Sequence, residues 1–443
     1  MSKRKKHTFQ RDWRKNYPVI NKAEGIYLYD DQGTKYIDAS GGPAVVSVGH
    51  GVKEVINSIM EQAQKASFPY QGNFLNQAQL DLADKIIGLA PEGFSEVYFV
   101  CGGSEATEIA IKIARQYFLL QGNAHKHIII SRWFSYHGAT IGALSLSGHT
   151  SRRKDYLPYL LDVPHIEPPY CYRCPWDLKY PSCDIKCAYE LERTIKRIGS
   201  ESVAAFIAEP ILGNSAGAVV PPPEYYRIIR TICDKYNLLF IADEVITGFG
   251  RTAANFAIDH YNIVPDIIIA GKGISSGYAP LGAVIMHDNI IKQFEQSSSS
   301  GFFMGYTFSA HPLSCAAGLA VLNYIKKYKL IEKVKQNSSY LFEKASALKK
   351  LPIVGDVRGK GFFVGIELVA DKTSKAPFPR DRKVSEQIYQ HAMKNGLVLM
   401  VGSGTADGQA GDHIIVSPPF ITSEGEIDEI FALLEKSIMQ CNL

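Results

Sequence analysis

The sequence predicts an α/β fold, with a large domain whose mainly parallel central sheet is flanked by helices and a smaller α/β lobe built from both chain ends. Three observations predict it. Between Val97 and His287 short apolar runs alternate with segments of helical period, the pattern of a sheet covered by helices. The runs at 238–242 and 267–270 are continuous rather than alternating, which suits parallel strands buried on both faces. A chain of 443 residues also exceeds the size at which one hydrophobic core stops growing. We divide it into 1–60, the N-terminal part of the small lobe; 61–310, the large domain; and 311–443, the C-terminal small domain.

Taken in order, residues 19–50 read as short strands and turns, including 25–30 and 33–38. Strands follow at 97–100, 127–131, 204–208, 238–242, 267–270 and 281–286. The clearest helix runs over 105–120, with Ala106, Ile109, Ala110, Ile113, Tyr117 and Leu120 on one face. Another covers 225–236 and stops at Asn237. Residues 313–348 read as largely helical, 353–369 as strand, turn, strand, and helix resumes near 382–394. There is no internal repeat, and the serine patch 297–301 is expected to form a mobile loop.

Composition excludes several classes. An apolar fraction of 46% and a charged fraction of 21% are those of a globular protein. The net charge of +4 is slight, and much of the excess is local, in Lys3, Arg4, Lys5, Lys6, Arg11, Arg14 and Lys15. That segment reads as a solvated terminus, so neither nucleic acid nor a membrane is expected as a partner. No window approaches eighteen consecutive apolar residues, and the start lacks a signal peptide's apolar stretch. Eight cysteines are too few for a disulfide scaffold in a chain this long; reduced thiols in a cytoplasm are expected.

Chemistry gathers at strand ends. Lys272 directly follows the run 267–270 and stands between Gly271 and Gly273. An ammonium is costly there, so its pKa should move toward neutrality and leave a nucleophilic amine, although an exposed turn lysine has the same local look. Gly102-Gly103-Ser104 lies between a strand and the long helix, where first-turn amides form an anion site and Ser104 could serve as the cap. Asp243 ends another apolar run and needs a partner, either a protonated ring nitrogen or an arginine such as Arg251. Trp133 to Gly138 brings aromatic rings to the same edge, and Glu209-Pro210 closes a further strand there. Core aromatics are commoner than stacking ones, so Tyr136 counts through its company. A phosphate loop, a stacking ring, a buried Asp and an imine-forming lysine are together what pyridoxal phosphate chemistry requires.

On the motifs Gly102-Gly103-Ser104-Glu105-Ala106, Tyr136-His137-Gly138, Glu209-Pro210-Ile211, the segment from Asp243 to Thr252, and Gly271-Lys272-Gly273, the chain resembles the class III pyridoxal-phosphate aminotransferases of fold type I. The resemblance runs from about Gly25 to Ile430. It implies pyridoxal 5'-phosphate as cofactor, Lys272 as Schiff-base lysine and proton carrier, and phosphate contacts from Gly103 and Ser104. It further implies Tyr136 stacking on the ring, His137 and Glu209 in the cofactor site, Asp243 on the pyridine nitrogen and Val245 on the opposite face. Thr307 matches a threonine that reaches the neighbouring subunit's phosphate, so a homodimer with shared active sites, or a tetramer, is implied. Arg358 matches the arginine that commonly grips a substrate carboxylate, with Tyr70 beside the substrate. The stretch after Glu209-Pro210 lacks the second acidic residue of ornithine and 4-aminobutyrate enzymes, Ile246 stands where some members have a glutamine, and Ala253 replaces a glycine. The segments 213–223 and 277–282 are similar to the pyruvate-using branch acting on omega- or beta-amino acids and amines.

Cys171, Cys174, Cys183 and Cys187 form Cys-x2-Cys-x8-Cys-x3-Cys. A structural zinc, reduced or reversibly paired thiols and an iron–sulfur centre are all compatible with that spacing. The glycines after Asp243-Glu244 make a poor dinucleotide fingerprint, because the acidic strand end precedes them, and no Gly-x4-Gly-Lys-Ser/Thr loop supports an ATPase. The expectation is an aminotransferase that moves an amine from an amino acid or amine to a keto acid, pyruvate, by a ping-pong route. A racemase or decarboxylase on the same cofactor remains open.

Overall fold

The computed structural model describes residues 7–297 and 301–441. Lys3, Arg4, Lys5 and Lys6 of the basic start and residues 298–300 of the serine patch lie outside the described residues. Three short strands open the chain: β1 (Ile20–Glu24), β2 (Tyr27–Asp30) and β3 (Lys35–Asp38), each antiparallel to the next.

Seven strands then build the central sheet: β4 (Phe94–Val100), β5 (Ile128–Arg132), β6 (His165–Ile166), β7 (Val203–Ala208), β8 (Leu239–Asp243), β9 (Ile267–Ala270) and β10 (Gly282–His287). Their spatial order is β4-β10-β9-β8-β7-β5-β6. All run parallel except β10, which is antiparallel to both β4 and β9. Every residue of β7, β8 and β9 is buried, which is why these runs are continuously apolar. The alternation is nevertheless present inside the protein. Ile267 and Ile269 pack with Ile109, Ala110 and Ile113 of the Gly103–Leu120 helix, whereas Ile268 and Ala270 join the opposite layer with Tyr226 and Ile229. Of the predicted helix face, Tyr117 and Leu120 are only partly covered, and Phe118 takes the fully buried place.

The C-terminal part holds β11 (Val354–Lys360), β12 (Phe363–Leu368), β13 (Leu397–Val398), β14 (Met400–Ser403) and β15 (Asp412–Val416). Four of these make an antiparallel sheet in the order β11-β12-β15-β14, while β13 pairs in parallel with β3, so both chain ends share one sheet. The predicted helical stretch 313–348 is two helices, Pro312–Lys327 and Leu330–Ala347, because Lys329 between them takes a left-handed φ of 49°. Helices Lys53–Lys65 and Gln77–Ile87, not anticipated from the sequence, pack on Pro312–Lys327. Among the described residues no helix is long and apolar enough to cross a membrane.

Candidate active site

Parallel strands deliver their carboxyl ends to one edge of the sheet, and there β4, β5, β7, β8 and β9 hand over to the five segments that carry the predicted chemistry. They enclose a cavity of about 130 Å³ lined by Gly103, Ser104, Tyr136, His137, Gly138, Glu209, Ile211, Asp243, Val245, Ile246 and Lys272. Eight of these eleven are the predicted cofactor residues of the large domain. Gly138, Ile211 and Ile246 are the three not anticipated as lining.

The segments touch closely. A Cβ on Gly103 would lie 2.9 Å from Cγ1 of Val245, and one on Gly271 would lie 3.5 Å from the amide nitrogen of Gly103. The phosphate loop and the lysine turn are therefore adjacent. Gly103 opens an 18-residue helix that no side chain caps, which leaves its first-turn N–H groups for an outside acceptor. The capping role expected of Ser104 is corrected: Gly102 holds the cap position, and the Ser104 hydroxyl accepts from the Ala139 amide at 3.1 Å.

Asp243 is buried at the end of β8. Its Oδ2 lies 2.6 Å from Nδ1 of His137, and Oδ1 accepts from the Val245 amide at 3.1 Å. The His137 ring is itself fixed, since its amide donates to Ser147 at 2.8 Å and its carbonyl accepts from Thr107 at 2.8 Å. Its Nε2 is buried without a partner. Arg251, the alternative partner for Asp243, instead donates to the carbonyls of Val46, Phe362 and Pro418. Glu209 accepts from the amides of Gly213 at 3.0 Å and Tyr136 at 3.3 Å, and its own carbonyl accepts from Arg132 and Tyr226. Burial pushes its carboxyl up to about 7, against the pull of His137 and Arg132.

Lys272 has a left-handed φ of 45°, a conformation a lysine adopts only where its surroundings impose it. Burial lowers its amine to about 8, partly opposed by Asp243 and Glu209 and assisted by the positive charge of Arg152. Among the described residues its Nζ has no hydrogen bond or ion pair. The pocket thus offers an anion site, a carboxylate with a free lone pair, apolar Val245 and Ile246, and an amine that burial draws down to about 8. That set fits a flat phosphorylated pyridine aldehyde: first-turn amides for its phosphate, Asp243 for its ring nitrogen, Lys272 for its carbonyl carbon.

Arg358 is placed differently from expectation. On β11 it donates through Nε to Gly217 O at 2.7 Å, through NH1 to Glu367 at 2.6 Å and Asp356 at 3.1 Å, and through NH2 to Ala216 O at 2.7 Å and Tyr170 at 2.9 Å. All five of its N–H donors are engaged within the chain, and it does not line the Lys272 cavity. Tyr70 and Thr307 are exposed and also lie off the cavity of their own chain.

The four cysteines do converge. Cys171, Cys174, Cys183 and Cys187 line one cavity of about 20 Å³ and all are free thiols. Burial pushes Cys187 up to about 12 and raises Cys171, and a protonated thiol is a poor ligand. Among the described residues no group of three or more His, Cys, Asp or Glu side chains is arranged to hold a metal ion. Neither zinc nor an iron–sulfur centre is shown at these thiols, and Cys187 belongs to the Lys186–Ile198 helix rather than to a loop.

Comparison with known proteins agrees with this geometry. The family profile described as Aminotransferase class-III matches residues 9–438. An uncharacterized aminotransferase of Bacillus subtilis, YodT, is 40% identical over 95% of this chain and 95% of its own length. The putrescine–pyruvate aminotransferase of Pseudomonas aeruginosa is 36% identical over 95% of this chain and 90% of its own. Among solved structures, an amine transaminase from an uncultivated Pseudomonas species in its PLP-bound form superposes with a TM-score of 0.92 at 31% identity, covering 99% of this chain and 100% of that one.

Proposed function

This chain belongs to the class III aminotransferases, enzymes that use pyridoxal 5'-phosphate, and from that premise we propose that it moves an amino group from an omega- or beta-amino acid or an amine to pyruvate. The observation that carries the reading is Lys272, a buried amine near neutrality beside an uncapped helix start and the Asp243–His137 pair. Support for the acceptor is the relative that acts on putrescine and pyruvate, and the absence of an acidic residue in 212–217.

When bound, pyridoxal phosphate supplies an electron-accepting ring that stabilises negative charge on the substrate carbon. The residues do the rest. Gly103 and Ser104 would hold the phosphate, Asp243 the protonated ring nitrogen, and His137, through its 2.6 Å contact, would keep Asp243 oriented. Tyr136 and Val245 would bracket the ring. Lys272 Nζ would carry a proton to and from the substrate carbon, a task suited to an amine of pKa about 8. The amino donor leaves as a carbonyl before the keto acid enters, so initial rates follow ping-pong kinetics. Two copies sharing their sites, with Thr307 and Tyr70 serving the partner's pocket, complete the proposal. A reducing cytoplasm suits the eight free cysteines.

The test is a donor screen with pyruvate and 2-oxoglutarate as acceptors, alongside visible spectra of the wild-type protein and Lys272→Ala. Donor-dependent alanine formation is expected, with loss of the visible cofactor band and at least a 10³-fold loss of kcat in the variant, the scale on which single catalytic groups act. An unchanged spectrum in Lys272→Ala would sink the reading.

A further inference from the structure

We propose that Arg152, which lies over the pocket-lining ring of Tyr136, is the cation that grips the substrate carboxylate. The inference rests on the transaminase reading and specifies which residue of this chain recognises the keto acid.

A transaminase that accepts pyruvate must hold one carboxylate near its amine, and the pocket lining offers no arginine for it. Arg358 is fully engaged within the protein. Arg132 and Arg251 are buried and donate to carbonyls and to Tyr226. Arg152 differs from all of them. It sits on the short Thr150–Arg153 helix, exposed in the single chain, with its guanidinium carbon 4.8 Å from the ring centroid of Tyr136, a ring that lines the pocket. Among the described residues it has no ion pair and no side-chain hydrogen bond. The contact with the ring leaves its N–H groups open for a planar, bidentate acceptor while the tyrosine helps hold it in position. Its charge is felt inside the site: it is the one cation that contributes to lowering the Lys272 amine, and with burial it helps push His149 down to about 4.

The experiment compares two acceptors that differ by the carboxylate alone, pyruvate and acetaldehyde, with one amine donor, in holoenzyme carrying Arg152→Gln or Arg152→Lys. The ratio of kcat/KM for pyruvate to that for acetaldehyde should fall at least tenfold in Arg152→Gln, chiefly through the KM for pyruvate, with part of the loss recovered in Arg152→Lys. A ratio equal to wild type overturns the assignment, whether the two rates are both kept or fall together as they would from a merely structural change. A cofactor titration separates the other anion in the site: a raised dissociation constant for pyridoxal phosphate with an unchanged ratio would place Arg152 on the phosphate and refute the proposal. Wild-type protein that aminates neither acceptor from any donor of the screen would overturn the pyruvate reading, and this proposal with it.

Discussion

At Lys272 and at two nearby carboxyl groups, burial acts in the same direction, toward the neutral form. An amine of pKa about 8 is half neutral at pH 8, whereas an ordinary lysine is about 0.3% neutral there. Glu209 and Glu244 are both raised to about 7. Glu244 is buried and accepts from Thr247 and from the amides of Ala257 and Ile258, but desolvation outweighs those bonds. A carboxyl raised in the fold binds its proton more tightly there than in the unfolded chain, so stability is greatest below pH 4.5 for that group and falls as pH rises from 4.5 through 7. The buried histidines His149, His165 and His413, held down to about 4, act in the opposite direction, so the prediction is a difference: the melting temperature of cofactor-free wild-type protein should fall relative to that of Glu244→Gln as the pH rises across that window, whatever the substitution does to the absolute value. An identical slope in the variant would show that Glu244 does not titrate there. Lys272 and Asp243 were legible in the sequence because a charge ending an unbroken apolar run has few explanations. The internal partners of Arg358 could not be read from the sequence, because they come from across the β11–β12 hairpin and from distant Tyr170. Arg152 was invisible for the same reason, its meaning lying in Tyr136 sixteen residues back and Lys272 far ahead in the chain.

At the level of elements, the site depends on loops packed without room for side chains. Gly103→Ala would push a methyl against both methyls of Val245, at 2.9 and 3.0 Å, where a branched side chain cannot swing aside. Overpacking of this kind costs about 1–3 kcal/mol. The cofactor's dissociation constant should rise about tenfold, and Val245→Ala in the same chain should restore part of it, as read by absorbance titration. A double variant no better than the single one would mean that the methyl obstructs the phosphate rather than Val245. Strands β7 to β9 were readable because both faces are buried, but direction leaves no trace in composition, so nothing in 281–286 announced that β10 is reversed. The break at Lys329 was equally hidden, with neither glycine nor proline to mark it. Helix Lys53–Lys65 carries Val55, Ile56, Ile59 and Met60 at helical spacing, yet buries only Val55 within the chain.

Seen as a whole, the molecule presents apolar side chains that a solitary chain has no reason to expose. Phe68, Tyr70, Phe74, Phe303, Met304 and Phe308 are all exposed, and Phe68 meets Phe308 at 5.7 Å. Thr307 stands in the same segment. If this face joins two copies, Phe308→Glu should halve the mass measured by light scattering at micromolar concentration and abolish turnover together with it. A monomeric wild-type protein with full activity would refute the shared-site arrangement. The sheet order, finally, has a consequence in time. β4, which leads into the phosphate loop, is hydrogen-bonded to the rest of the central sheet only through β10, whose residues are translated almost two hundred positions later. A nascent chain that has emerged only as far as Lys272 therefore has its lysine and its Asp but cannot yet seal its phosphate loop beside them; the strand that completes the sheet, Gly282–His287, must emerge first.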